Sequence, residues 1–224
     1  MSVGRRVLGV ALDARVLVGL HAALLVSIAH LWMRGEYEDR VFERLVAAVV
    51  RPEMDEQQKA LAVLHAVHET IETRNAVLRE RVVDHLAGRL FENALDVILI
   101  EGGQCGDHSM VLTRALQVAG LEARAVQMNV RGTWGGHIVA EAKIDGRWVA
   151  LDSLFDLAFV KPNGELATVA ELHADWEAFA DQVPDTYDRD ASYRDYRRTN
   201  WESVPVLMPA AKALMTATLG SEAA

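Results

Sequence analysis

The stretch that decides the fold is GGQCGDHSMVLTRALQVAG, residues 102–120. It holds the one cysteine of a chain of 224 residues. Val111, Leu112, Ala115, Leu116 and Ala119 make one apolar stripe at helical spacing. Gly120 follows in the usual place of a helix-ending glycine. The pattern predicts a helix from Cys105 to Ala119 with the thiol at its N-terminus. A thiol there meets free N–H groups and the positive end of the helix dipole, and both lower its pKa. A packing cysteine needs no such setting, whereas a nucleophile does.

Beyond Gly120 the period switches from helical to two. LEARAVQMNV (121–130) reads as a strand, and GHIVAEAKIDGRWVALD (136–152) as a hairpin turning on Asp145-Gly146. Those two loop residues set Ile144 opposite Arg147. His137 and Asp152 then become diagonal neighbours on one sheet face, roughly 7–8 Å apart. LAFV (157–160) is a further short strand before the turn Pro162-Asn163-Gly164. Upstream, residues 36–100 read mostly as helix. Leu61, Leu64, Val67 and Ile71 mark its apolar face, Asp55 is the cap, and Gly88 is a break. Helices followed by an antiparallel sheet form an α+β pattern.

The bulk properties narrow the function. Hydrophobic content of 51% and charged content of 25% suit a globular chain. A net charge of −9 and the lack of a basic run speak against nucleic acid. One cysteine excludes an intrachain disulfide and a multi-cysteine metal site. His65 and His68 lack the glutamate of a zinc protease helix. Asp185, Asp188 and Asp190 lack the spacing of a calcium loop. No metal or cofactor is expected. VLVGLHAALLVSIAHLWM (16–33) carries no formal charge with its histidines neutral, and stands at the lower length limit for a membrane span. Arg5, Arg6 and Arg15 would favour an N-in orientation. His21, Ser27 and His30 favour a soluble docked helix instead. Two expectations follow: a membrane-anchored protein with its site outside the cytoplasm, or a soluble cytoplasmic one.

GGQCGDHSMVLTRALQVAGLEARAV resembles the cysteine segment of the transglutaminase-like superfamily, whose members share a papain-like core. GGHIVAEAKIDGRWVALD resembles its histidine strand, hairpin and aspartate strand. The likeness covers roughly residues 90–160. It implies an α+β, papain-like core: a central helix with an N-terminal cysteine on an antiparallel sheet, preceded by a helical region. It implies Cys105 as nucleophile, His137 as general base and acid, and Asp152 as the residue orienting the imidazole. Asp156 is the competing acid and His108 the competing base. The backbone N–H of Cys105 would face an oxyanion. Gln104, Gly106, Trp134, Gly136 and Asn129 are candidates for further oxyanion or substrate contacts. Asp107 is most simply a helix-start residue. In departure from the family, Ile138-Val139 follows the histidine where an aromatic is usual. Ser153 follows the aspartate where Pro or Thr is common.

The expected organisation is an apolar N-terminal helix over 1–35, a transglutaminase-like catalytic domain over 36–172, and a C-terminal extension over 173–224 packing on it. That extension holds a polar, tyrosine-rich covering segment and a final helix in MPAAKALMTATLG (208–220). The activity implied is cysteine-dependent hydrolysis or transfer at a peptide or protein amide through a thioester. A non-catalytic scaffold in a larger, membrane-associated assembly is the alternative.

Overall fold

The hairpin forms about its Asp-Gly turn. In the computed structural model Asp145 and Gly146 have φ of 49° and 78°. Both are left-handed, as a two-residue turn matching the strand twist requires. The structure describes residues 14–78, 94–99, 104–129, 136–185, 187 and 193. Strand β1 spans Ala123–Asn129, β2 Gly136–Ile144, β3 Arg147–Asp152 and β4 Leu157–Ala158. They form one antiparallel sheet in the order β1-β2-β3-β4. Ile144 pairs with Arg147 and Ala140 with Leu151, the register set by the turn. LAFV is only half a strand: Leu157 and Ala158 join the sheet, and Val160 makes a single bridge to Leu166 across the Pro162-Asn163-Gly164 turn.

Four helices precede the sheet among the described residues: α1 Ala14–Val49, α2 Glu56–Leu78, α3 Ala94–Leu99 and α4 Cys105–Val118. Asp55 caps α2: its carboxylate accepts the Gln58 N–H (2.7 Å) while Gln58 accepts the Asp55 N–H (3.1 Å). Gly120, at φ 84°, ends α4 beyond its C-cap Ala119. Val111, Leu112, Ala115 and Leu116 on α4 pack with Ala140, Ala142, Val149 and Leu151 of the sheet. Phe42 and Val46 of α1, and Val63, Val67 and Ile71 of α2, complete that cluster. Each large side chain buried there contributes about 1.5–3 kcal/mol.

The other sheet face is also covered. Val139 and Ala150 lie under Phe159, Leu172, Trp176, Phe179, Tyr187 and Tyr193. This layer follows β4 through a short helix α5, Val169–Ala174, and two 3-10 turns. β2 is therefore buried on both faces from Val139 to Ala142, which blurs the simple alternation expected of it. The final helix and the Gly88 break expected from sequence lie outside the described residues.

α1 runs without a break through residue 35. Its first half differs from its second. Every residue from Val16 to Trp32 is exposed, while Phe42 and Val46 lie in the core. It is long and apolar enough to cross a membrane, with a mean hydropathy of 1.9 in its most apolar window and none of that window buried.

Candidate functional site

The first turn of α4 is locked to β2. Asp107 accepts the backbone N–H of Gln104 (3.2 Å), and the His108 N–H reaches the Gln104 carbonyl (3.1 Å), so the intrahelical bonds begin there. The Cys105 N–H therefore has no acceptor within the helix. Ser109 donates its hydroxyl to the Ile138 carbonyl (2.8 Å). A Cβ on Gly106 would stand 3.4 Å from Ile138 Cδ1, so the helix start lies directly against the strand. These contacts bring Cys105, half-buried, beside His137, the residue before Ile138.

Three groups meet in a row. The Cys105 thiol is hydrogen-bonded to His137. His137 Nε2 donates to Asp152 Oδ2 at 2.5 Å, leaving Nδ1 for the sulfur. His137 and Asp152 are 6% and 1% exposed, so water competes little with their bond. Burial opposes the charged imidazolium, but Asp152 and the thiol outweigh it and lift His137 from 6.5 to about 9. Burial likewise pushes the thiol up. The His137 bond, the Ile138 N–H, the imidazolium charge and the Gly106 N–H reverse this and hold Cys105 below its ordinary value. Thiol down and imidazole up are the directions that favour a thiolate–imidazolium pair.

The other sequence candidates fall elsewhere. Asp156 sits in the turn after β3 at φ 50° and bonds His65 Nδ1 (2.7 Å) instead of His137. His108 is fully buried and turns from the thiol, its Nδ1 donating to the Ser153 carbonyl (2.9 Å). Burial holds it below its ordinary value, which favours its neutral form. Gln104 and Gly136 are exposed, one at the helix start and the other opening β2. Gly106 turns its N–H to the sulfur. Trp134 and the side chain of Asn129 lie outside the described residues, as do Asp188 and Asp190. Asp185 is in a turn. Among the described residues no three His, Cys, Asp or Glu groups gather as a metal site. A cavity of about 470 Å³ lined by Arg124, Glu141, Trp148 and His173 includes none of the three groups.

Two features of the site escape sequence reading. Phe155 and Tyr187 each stand 5.9 Å from the His137 ring, Tyr187 edge-on, and 4.9 Å from each other. They supply the aromatic surroundings that Ile138-Val139 do not. Second, His68 Nδ1 also donates to the Ser153 carbonyl (2.9 Å), so two imidazoles hold the residue after Asp152. The Asp152 carboxylate in turn accepts the Leu154 N–H (3.1 Å). The Asp152–Ser153 corner is braced from α2, from α4 and by its own turn.

A cysteine at the start of a core helix, facing a histidine and an aspartate on the strands beside it, defines a papain-like thiol core. Residues 43–153 match the family model of the transglutaminase-like superfamily, and the chain carries a domain of that superfamily, whose members commonly have cysteine-dependent catalysis. The match begins in the second half of α1 and ends one residue past Asp152. No curated protein and no solved structure matches the chain.

Proposed function

We propose that the protein is a cysteine-dependent amide hydrolase or acyltransferase in which Cys105 is the nucleophile, His137 the general base and acid, and Asp152 the orienting carboxylate. One observation carries this reading: the Cys105 thiol bonds an imidazole whose other nitrogen is held by a buried carboxylate.

The steps follow from the protonation states. His137 takes the Cys105 proton, and the thiolate attacks the amide carbonyl carbon, forming a C–S bond. The carbonyl oxygen becomes an oxyanion beside the Cys105 N–H. The imidazolium then protonates the departing amine as the C–N bond breaks, leaving a thioester on Cys105. Water, or an amine in the transfer reaction, gives its proton to His137 and attacks the thioester. The free acid or new amide leaves, and His137 returns the proton to sulfur. Water is the default acceptor, which favours hydrolysis. Asp152 keeps the proton of the imidazole on Nε2, so that Nδ1 faces sulfur throughout.

The test is the alkylation rate of Cys105 against pH in the parent and in His137→Ala. The single thiol makes the signal unambiguous. An apparent pKa well below ~8.5, with its low-pH limb lost in the variant, supports the reading. A rate indifferent to His137 at every pH refutes it.

A further inference from the structure

We propose that this thiol centre works at a lipid bilayer: the apolar half of α1 crosses the membrane, and the domain stands on it with its Cys105 end toward the lipid. The substrate is then a polypeptide amide tethered at the bilayer surface. The inference rests on the cysteine–amide reading above and adds the place and class of its substrate.

Lipid fits α1 better than a protein partner does. A helix docked in a groove buries one stripe. Val18, Leu20, Leu24, Leu25, Val26, Leu31 and Trp32 point around the whole circumference, and all are exposed. Two of the three polar side chains within the segment are turned back onto the helix. His21 Nδ1 bonds the Leu17 carbonyl (2.7 Å) and the Ser27 hydroxyl the Ala23 carbonyl (2.9 Å), as polar groups in hydrocarbon require. Residues 16–33 rise about 27 Å, close to the ~30 Å of a hydrocarbon core. Arg34 ends the apolar run and pairs with Asp96 of α3.

The direction of the domain follows from its contacts. α2 returns antiparallel to α1 after a turn at residues 50–55. At its start Glu56 accepts the Asp145 N–H (2.8 Å) and Gln57 donates to the Gly164 carbonyl (3.1 Å), fixing the hairpin tip at the far end. Three turns later His65 and His68 hold Asp156 and Ser153, next to Asp152. Counting back along α1, His68 lies level with about residue 37, one turn from Arg34. α4 agrees. Arg114 pairs with Asp39 and Glu38 of α1, and His108, one turn beyond Cys105, bonds the same Ser153 carbonyl as His68. The thiol centre is thus within about two helical turns of the level where the apolar segment ends. The turn at Glu53 is about 24 Å or more beyond it.

The experiment uses the full-length protein in phosphatidylcholine–phosphatidylglycerol vesicles and two reagents, iodoacetamide and N-hexadecyl iodoacetamide, which partitions into the bilayer. The ratio of lipidic to soluble alkylation rate is measured for Cys105, and for Glu53→Cys made in Cys105→Ser. Confinement of the reagent to the surface predicts a ratio about tenfold or more higher at 105 than at 53. Quenching of a fluorophore at each position by headgroup-nitroxide lipid should rank them the same way. Equal ratios, or a larger one at 53, overturn the orientation. Protein that stays in the supernatant when vesicles are sedimented overturns the lipid partner. Failure of the Cys–His pair would slow both reagents together and leave the ratio unchanged, so the two readings fail separately.

Discussion

Asp152→Asn keeps the shape of the residue beside His137 and removes its charge. His137 stands at about 9 against an ordinary 6.5, a lift worth about 3 kcal/mol. Asp152 is the stronger of the two partners that produce it. Without that charge burial prevails, and the imidazolium that stabilises the thiolate is weakened. A near opposite charge is worth about one to three pH units, and one to two of these are expected to reach the thiol. At a pH well below the thiol's own pKa, thiolate then falls about 10- to 100-fold, but the more basic thiolate that remains is more nucleophilic. With a Brønsted slope near 0.45 the net loss of alkylation rate is about 3- to 15-fold, with the profile moved to higher pH. The assay is iodoacetamide labelling of the full-length protein followed by mass spectrometry from pH 5 to 10. Asp156→Asn is the control, because Asp156 bonds His65 and not His137. A profile for Asp152→Asn that superimposes on the parent, or an equal shift from Asp156→Asn, would refute the assignment.

Other consequences can be measured directly. Between pH 6.5 and 9 folded His137 keeps a proton that the unfolded chain releases, which lowers stability as pH rises. Cys105, held low, acts in the opposite sense and offsets part of this loss. In Cys105→Ala the share of the His137 displacement that Asp152 causes remains without that offset, and stability to urea should fall more steeply as pH rises above 6.5 than in the parent; parallel curves would contradict the ion pair. His108→Ala removes a fully buried ring and one of two donors to Ser153, at a cost of about 2–4 kcal/mol in thermal or urea unfolding. His65→Ala breaks only an exposed pair with Asp156 and should change stability by less than about 1 kcal/mol; equal losses would show that the brace on Ser153 is unimportant. Gly120→Ala places a Cβ in open space but at φ 84°, so the expected loss of about 1–2 kcal/mol is purely conformational, and an unchanged melting temperature would mean that the helix end can rearrange.

The sequence by itself determined what depends on residues close in the chain. The apolar stripe of 111–119 and Gly120 give the helix and its end, and place Cys105 at its start. Asp145-Gly146 gives the turn, and a two-residue turn leaves one register, so His137 and Asp152 meet by arithmetic. What only the tertiary structure decided depends on residues far apart. His68 and His108, on different helices, converge on the Ser153 carbonyl. Phe155 and Tyr187 close on His137 from beyond the sheet. The layer ending at Tyr193 buries the second face of β2, and α1 carries one continuous axis from the core into its exposed apolar half. Periodicity records which side of an element is apolar, but not what covers it. That is set by packing between elements tens of residues apart, where shape and burial decide which surfaces meet.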